Sequence, residues 1–224
     1  MFFPRRFLVP ALLVLLAAAA AFWLTLPDVR PLAREFPRTT AFMERKRTEL
    51  RRQGQAAALD YRPVPLRLVS PFLARAVVAA EDARFYEHTG MDWEAIRGAL
   101  AKDWQNKRLK RGGSTVTQQL AKNLYLSPAR TPWRKLREWA IVGRLERALS
   151  KARILELYMN VIEFGPRTYG VEAAARRYFH KPASALTARE AATLAAMIPS
   201  PRLYDPARNP ARVGRRAARI LRGM

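Results

Sequence analysis

Two glutamates in this 224-residue chain lie where a carboxylate is expected to be shielded from water. The first, Glu81, ends a segment that begins with Ser70, a capping residue, and Pro71, which suits the first helical position. The apolar residues of this segment recur at helical spacing, at Leu73, Ala76, Val77 and Ala80. Glu81 then falls at the margin of an apolar stripe, where burial raises the pKa of a carboxyl group towards that of a general base. A solvated helix margin is the alternative interpretation.

The ten residues that start at Glu81, EDARFYEHTG, are predicted to continue this helix. On such a helix Phe85 and His88 lie beside the apolar stripe, one and two turns beyond Glu81. Asp82 is predicted to point away from the stripe.

The second glutamate, Glu138, lies on a helix that Thr131 and Pro132 are predicted to open. It aligns with an apolar stripe made of Ile141, Val142, Leu145 and Leu149. A carboxylate inside such a stripe needs a partner, and Arg134 lies one turn earlier. A structural ion pair and a catalytic carboxylate both fit this pattern.

A third segment, GGSTVTQQLAKN at residues 112–123, combines two glycines with the capping residues Ser114 and Thr115. The helix predicted from Val116 has unpaired backbone N–H groups at its start, which can receive an anion. Gln119 and Lys122 share one face of that helix. The lysine spacing differs from that of a Walker loop, so nucleotide binding is not favoured. A purely structural capped turn is the alternative.

The remaining segments predict an almost entirely α-helical domain, because no alternating run of strand length occurs. A small irregular hairpin is predicted near Phe164 to Tyr169. The other predicted features are a short helix from Trp93 to Trp104, a basic loop at 106–111, a helix capped by Ser150, a helix from Val171 to Phe179, a capping box at Thr187 and Glu190, and a basic last helix.

The composition points to anionic partners. Lysine and arginine number 41 against 18 acidic residues, a formal net charge of +23, which fits nucleic acid, an anionic membrane or a phosphorylated substrate. The absence of cysteine excludes disulfides and thiolate metal sites. With only His88 and His180, a histidine-rich zinc site is not favoured either.

The N-terminal segment is predicted to anchor the chain. Residues 7–26 form an uncharged run of 20 residues, long enough to span a bilayer, behind a cytoplasmic N-terminus at 1–6. A cleaved signal peptide is the alternative, because the alanines at 17–21 offer cleavage sites. Residues 27–60 are predicted to be a basic juxtamembrane linker that lies on anionic headgroups, or a solvated charge run, and 61–224 the folded domain.

Four segments in this order and spacing resemble the peptidoglycan glycosyltransferase (transglycosylase) family: EDARFYEHTG, GGSTVTQQLAKN, RKLRE and KARILELYMNVIEFG. The resemblance extends from about Leu66 to Pro210, and one short domain behind an anchor resembles the monofunctional biosynthetic member. It implies an all-α, lysozyme-like domain with a head lobe and a jaw lobe that dips into the membrane. It also implies that the chain polymerises lipid II into β-1,4-linked glycan strands, with inversion and release of polyprenyl diphosphate.

The resemblance implies a single-pass protein of the bacterial cytoplasmic (inner) membrane, with its catalytic domain on the outer, periplasmic face. The implied partners are lipid II, the growing lipid-linked strand and anionic membrane, with cell-division or elongation proteins and penicillin-binding proteins as candidate protein partners and no nucleic acid. Any cross-linking is left to another protein. No cofactor is required, although a divalent cation, Mg or Mn, can stimulate family members; the sequence offers no dedicated ligand cluster for one.

The resemblance also assigns roles. Glu81 corresponds to the catalytic base, which takes the proton from the acceptor 4-hydroxyl, and Glu138 to the second family glutamate. Lys122 and Arg130 correspond to residues that stabilise the departing diphosphate. The other motif positions, expected to bind substrate, are Asp82, Phe85, His88, Ser114, Thr115, Gln119 and Arg134. Two positions depart from the family pattern, since Arg167 and His180 stand where glycine is expected.

Two other classes of protein remain as alternatives. A lysozyme-like lytic glycan hydrolase also uses paired carboxylates in an α-helical fold. Hydrolysis releases no diphosphate, however, so the cations at Lys122, Arg130 and Arg134 would lack a purpose. A membrane-tethered nucleic-acid binder is suggested by charge alone, and Glu81 and Glu138 would repel a phosphate backbone.

Overall fold

The computed structural model describes residues 8–98, 113–129, 131–201 and 203–224. In these ranges the chain is mostly helical, as predicted, and residues 93–98 form one helical segment. Among the described residues the longer helices are α1 Leu8–Leu24, α2 Ala41–Arg52, α3 Pro71–Glu81, α4 Val116–Tyr125, α5 Pro132–Ala148, α6 Lys151–Val161, α7 Val171–Phe179, α8 Ala188–Met197 and α9 Pro210–Arg222.

The core lies between two groups of helices. Helix α4 packs against α5 and α6, while α3 packs against α8, and α9 covers both α8 and α3. Large side chains fill this core, and the bulkiest of those that are fully buried in it are Tyr158, Phe85 and Phe164. This arrangement brings the C-terminal end of α3, and with it Glu81, next to α4 and α9.

Local capping signals place most helix starts where they were predicted. Thr115, Thr131, Ser150 and Thr187 each accept a hydrogen bond from a backbone N–H of the helix that follows. Ser70 is the exception, because its hydroxyl instead donates to the Leu186 carbonyl oxygen at 2.8 Å. It therefore ties the start of α3 to the segment before α8.

The prediction that the helix continues past Glu81 is wrong. Helix α3 ends at Glu81, and Asp82 takes up an extended conformation with φ −163° and ψ 76°. Turns at residues 83–87 and bends at 88–90 take the place of a helix. The physical cause lies elsewhere in the chain, since the Asp82 side chain is held by His88 and by the start of α4.

The predicted hairpin forms, and a third strand joins it. Strand β2, Glu163–Gly165, pairs antiparallel with β3, Thr168–Tyr169, and β1, Asp60–Tyr61, pairs parallel with β3. Arg167 lies in the β2–β3 turn with φ 61°, in the left-handed region. His180, at the C-terminal end of α7, has φ 58°. Both departures from the family pattern thus occupy a conformation that favours glycine.

The N-terminal part of the chain contains α1 and α2. Helix α1 has 17 residues, and its large apolar side chains are mostly exposed, among them Val9, Leu13 and Val14. Within the described ranges no helix combines the length and the apolar character that a membrane crossing requires. Helix α2, inside the stretch predicted to be a linker, packs against α4 and buries Met43 and Leu50.

Candidate active site

Glu81 stands at the centre of a hydrogen-bonded group of side chains from four helices. Its Oε2 accepts from Gln119 Nε2 on α4 at 2.9 Å, and its Oε1 faces the guanidinium of Arg216 on α9 at 3.4 Å. Tyr158 on α6 donates its hydroxyl proton to Gln119 Oε1 at 2.9 Å. The amide of Gln119 therefore has a fixed orientation, with its N–H group directed at the carboxylate.

The surroundings of Glu81 favour its protonated form more than water would. Burial raises the pKa of the Glu81 carboxyl group, and the hydrogen bond from Gln119 and the positive charge of Arg216 offset part of that effect. The Glu81 side chain is 9% exposed. Burial also raises the pKa of Tyr158 well above its ordinary value, so that this phenol is a neutral donor. A carboxylate of this kind is suited to general-base chemistry.

Asp82 and His88 form a buried pair behind Glu81. His88 Nε2 lies 3.0 and 3.1 Å from the two carboxylate oxygens of Asp82. The Gly90 amide donates to His88 Nδ1 at 3.2 Å, which assigns the ring proton to Nε2 and makes that nitrogen the donor to Asp82. The prediction that Asp82 points away is wrong, because the residue is buried.

The Asp82 carboxylate also accepts a hydrogen bond from the start of α4. The Val116 N–H, at the first residue of α4, donates to Asp82 Oδ2 at 3.0 Å, and the Gln118 N–H donates to Thr115 Oγ1 at 3.2 Å. The prediction that the N–H groups at this helix start receive an anion of the substrate is therefore wrong for these two groups. Their partners are side chains of the protein itself, and one of them is an anion.

A hydrogen bond between Thr115 and Gly90 joins the GGSTVTQQLAKN segment to the EDARFYEHTG segment. The Thr115 hydroxyl donates to the Gly90 carbonyl oxygen at 2.6 Å. Gly90 has φ 93°, and a Cβ atom there would lie 2.5 Å from Val142 Cγ1 and 2.9 Å from Glu146 Cγ on α5. The close approach of backbone to α5 requires glycine. The Thr115 hydroxyl thus holds the end of the EDARFYEHTG segment against the start of α4.

Ser114 shares a cavity with Glu81. The cavity, of about 260 Å³, is also lined by Asp82, Arg84 and Asp92. Ser114 is exposed, unlike the buried Thr115 beside it. The structure thus brings Ser114 to the same cavity as the candidate base, and substrate binding by Ser114 stays a prediction.

Phe85 and Arg130 are two further residues that were predicted to belong to the site. Phe85 is fully buried in the core, with Lys151 Nζ 4.7 Å from its ring centroid. This burial makes Phe85 a packing residue, with no surface for a substrate. Arg130 lies outside the described residues.

Glu138 is buried on α5, as its place in the apolar stripe predicted, and it has two cationic partners. Its carboxylate accepts from Arg134 at 2.5 Å and from Lys135 at 2.5 Å. The ion pair with Arg134 is thus present, whereas the contact with Lys135 was not predicted. The RKLRE sequence contains a signal for it, because residues at i and i+3 share a helix face.

Lys122 connects the two carboxylates electrostatically. Burial lowers the pKa of Lys122, and the negative charges of Glu138 and Glu81 act in the opposite direction. Its ammonium group lies 5.9 Å from the centroid of Phe42 on α2. Lys122 is thus a partly buried cation whose charged form is favoured by both glutamates.

Arg216 is a site residue that the sequence alone does not reveal. It belongs to a cavity of about 310 Å³ lined by Tyr204 and the arginines at 212, 215, 216 and 219. The Arg212 and Arg216 guanidinium groups lie 5.2 and 5.6 Å from the Tyr204 ring centroid. Nothing in the local sequence links Arg216 to Glu81, although the basic face of α9 is visible.

Three buried residues are close enough together to be considered as a cation site. Asp82, His88 and Asp92 offer ligand atoms within 4.8 Å of one another. Both oxygens of Asp82 are already paired with His88, and Arg84 Nε lies 3.5 Å from Asp92 Oδ2. The guanidinium group brings positive charge to the place where a cation would sit. These residues therefore do not fit a divalent cation.

The geometry as a whole suits enzymes that transfer an activated glycosyl group. Such a reaction needs a carboxylate base for the attacking hydroxyl and positive charge for a departing anion. Glu81 is a nearly buried carboxylate, and Lys122 and Arg134 are partly buried cations, so both kinds of group are present.

Comparison with known proteins identifies the family. Residues 47–224 match the family described as Transglycosylase. The biosynthetic peptidoglycan transglycosylase of Laribacter hongkongensis is 50% identical over 188 residues, which cover 84% of this chain and 82% of that protein. The proteins of the same description from Nitrosospira multiformis and Methylobacillus flagellatus are each 50% identical over 185 residues, covering 83% of this chain and 80% of theirs. The chain belongs to the transglycosylase family.

Proposed function

We propose that this chain polymerises lipid II into β-1,4-linked glycan strands of peptidoglycan, with Glu81 as the general base. The observation that carries the proposal is the Glu81 carboxylate: it is nearly buried, its pKa is raised by that burial, and it lines a cavity with Ser114. A base with a raised pKa is partly prepared to accept a proton from a sugar hydroxyl.

The proposed reaction is a direct displacement. The acceptor 4-hydroxyl attacks the anomeric carbon of the lipid-linked donor while Glu81 takes the hydroxyl proton. The new C–O bond forms as the bond to the diphosphate breaks, and the electron pair leaves with the polyprenyl diphosphate. Attack from the opposite face inverts the anomeric configuration, from α in the donor to β in the product.

Lys122 and Arg134 are proposed to stabilise the negative charge of the leaving diphosphate, together with Arg130. The negative charge of Glu81 raises the pKa of Lys122, and this electrostatic coupling supports a role for Lys122 close to the proposed base. The Arg134 guanidinium has a buried Nε without a hydrogen-bond partner and an NH1 on Glu138. Glu138 is proposed to hold Arg134 and Lys135 in position, a role that acts through its partners.

We propose that α1 anchors the chain in the bacterial cytoplasmic membrane and that the lysozyme-like domain has two lobes and works on the outer face. The exposed apolar side chains of α1 support this placement, because they are costly to expose to water. Trp133, Leu136 and Trp139 on α5 are exposed as well and would meet lipid beside α1. A reporter enzyme that works only after export, fused behind Met224, should be active; a reporter that works only in the cytoplasm should be silent.

Incubation of the detergent-solubilised protein with labelled lipid II tests the activity. Polymer separated from monomer on a gel is the expected product, and polymer should be absent with Glu81→Gln. A chain that leaves lipid II unchanged but cleaves finished glycan strands would be a hydrolase, which would overturn the proposal. Lys122→Ala should lower the rate strongly and keep the melting temperature of the parent. An unchanged rate for that variant would remove Lys122 from the leaving-group site.

A further inference from the structure

Helix α5 carries two separate stripes of functional side chains. The inner stripe contains Glu138 and the buried Val142 and Leu145. The outer stripe, at Trp133, Arg137 and Arg144, faces the C-terminal end of α1. Residues four, seven and eleven positions apart lie on one side of a helix, so these three side chains form one line. A single rigid element thus touches both the candidate active site and α1.

The two outer arginines bind backbone carbonyl groups at the end of α1. Arg144 donates to the carbonyl oxygens of Trp23 at 2.8 Å, Leu26 at 3.0 Å and Pro27 at 3.1 Å. Its guanidinium group also lies 5.5 Å from the Trp23 ring centroid. Arg144 therefore binds one carbonyl group in the last turn of α1 and two carbonyl groups just after the helix ends.

Arg137 and Trp133 extend this contact. Arg137 donates to the Thr25 carbonyl oxygen at 3.0 Å and to the Thr25 hydroxyl at 3.1 Å. The ring of Trp133 meets that of Phe22 edge to face, with 5.2 Å between centroids. The end of α1 is thus held by polar and by aromatic contacts along several turns of α5.

The contacts supply hydrogen-bond donors to carbonyl groups at the C-terminal end of α1. The last carbonyl groups of a helix lack intrahelical partners and carry partial negative charge, which favours nearby cations. Helix α1 has no basic residue in its last turn. Arginine suits the task because its planar guanidinium group offers five N–H donors in a fixed arrangement. Helix α1 is therefore capped partly by its own Thr25 hydroxyl, which donates to the Phe22 carbonyl oxygen at 2.8 Å, and partly by Arg144 of α5, which donates to the Trp23 carbonyl oxygen.

We infer that Arg137 and Arg144, here named the anchor clamp, set the depth and orientation of the catalytic helix α5 relative to the lipid surface. The inference rests on the proposed function, because it requires α1 to lie in lipid. The diphosphates of both lipid-linked substrates lie at the level of the lipid headgroups. Holding α1 against α5 keeps Arg134 and Glu138 at that level. Arg137 and Arg144 are positioning residues, since they act through the backbone of α1.

The anchor clamp is tested with three full-length variants in liposomes that contain lipid II. The alanine variant carries both Arg137→Ala and Arg144→Ala, which removes the donors. The lysine variant carries both Arg137→Lys and Arg144→Lys, which keeps the two positive charges, but a lysine side chain cannot bridge several carbonyl oxygens. Arg147→Ala is the matched control, because the Arg147 Nε donates to the Gly143 carbonyl oxygen of its own helix. Both double variants should lose roughly tenfold to a hundredfold in kcat/KM, as expected when catalytic groups are misplaced. The control should match the parent.

A distance measurement separates positioning from simple loss of structure. The chain has no cysteine, so cysteines introduced at Val14 on α1 and Arg189 on α8, both exposed, are the only thiols for nitroxide labels. The parent and Arg147→Ala should give a narrow distribution of label distances, and both double variants a broad one. The melting temperature of the catalytic domain should not change.

The outcomes are distinct. Parent-like activity and a narrow distribution in the alanine variant would overturn the inference. Full recovery of both in the lysine variant would also overturn it, because charge at the headgroups would then suffice. A parent that makes no polymer would refute the proposed function, whereas the label distances would still decide whether the two arginines hold α1 against α5.

Discussion

Gln119 Nε2 donates to Glu81 Oε2 at 2.9 Å, and the orientation of that amide is set from its other end by the Tyr158 hydroxyl. The acceptor hydroxyl of a substrate would meet a carboxylate whose free lone pairs have a defined direction. This preorganisation is important because a base acts only within hydrogen-bond reach of the proton it removes. The contact joins α3 to α4 and depends on neither helix alone.

Glu81→Gln should abolish nearly all polymerisation while it stabilises the fold. Loss of a general base costs about 10²–10⁴ in rate. Because the folded-state pKa of Glu81 is raised, its stabilising contribution is present below its unfolded pKa and is lost as the pH rises through the folded pKa. At neutral pH the ionised carboxylate thus opposes folding, and the neutral amide should raise the melting temperature. The rate of lipid II polymerisation and the melting temperature test these two expectations. Glu87→Gln, which changes an exposed side chain, is the control for both. A fully active Glu81→Gln enzyme would remove Glu81 from the role of base.

Arg216→Ala should shift the acid limb of the pH–rate profile upwards. The base works when deprotonated, so activity falls as the pH drops through the pKa of Glu81. Arg216 lowers that pKa, and its removal lets burial raise it further. Arg222→Ala, on the same basic helix, is the control for a general loss of charge. The profile of kcat/KM against pH checks the shift, and an unmoved acid limb would show that Arg216 has no electrostatic contact with the base.

Much of the fold can be predicted because its signals are local. Thr115, Thr131 and Thr187 mark helix starts from their own side chains, and Glu138 reveals its burial through the spacing of its neighbours. Both glutamates and the helix of Lys122 can be found in this way.

The rest of the site depends on partners that are distant in sequence. The helix ends at Glu81 because the Asp82 carboxylate is hydrogen-bonded to His88 and to the N–H group of Val116, 34 residues later in the chain. The same contact gives the first backbone N–H group of α4 a partner within the protein, whereas the local sequence predicts that this group is unpaired. Arg216 lies 135 residues from Glu81 and meets it only through the packing of α9 on α3. No spacing rule covers such separations.

Glu138→Gln should lower stability and activity together. The change removes the charge that Arg134 and Lys135 share, and hydrogen bonds to charged groups contribute roughly 1.5–3 kcal/mol. Both cations keep some access to water, with side chains 17% and 37% exposed, so they regain part of that free energy by hydration. Thermal melting and polymerisation of the same preparation check this. An inactive variant as stable as the parent would make Glu138 a group that acts on substrate.

Gly90→Ala should destabilise the domain and lower activity by displacing the EDARFYEHTG segment from α5. The new methyl group would lie 2.5 Å from Val142 Cγ1, at a backbone φ of 93°. Overpacking costs about 1–3 kcal/mol, to which the strained φ adds. Gly214→Ala in α9 is the matched control, since nothing lies within 4 Å of the position that its methyl group would take. That control should be neutral or stabilising, because alanine is favoured over glycine in a helix by about 1 kcal/mol. Chemical denaturation of both variants measures the difference.

His180→Gly should stabilise the protein without changing its activity. His180 ends α7 at φ 58° and ψ 29°, a conformation that costs non-glycine residues roughly 1–2 kcal/mol. Glycine is the common residue at this kind of helix end, although its greater freedom in the unfolded chain removes part of the gain. The net increase in the free energy of unfolding should be below about 1 kcal/mol. Arg167→Gly, at φ 61°, is the informative comparison, because it relieves the same strain but loses the 2.8 Å hydrogen bond from Arg167 to Gln55. We expect a smaller gain there, and a loss of stability in His180→Gly would show that the histidine ring makes contacts worth more than the strain it carries.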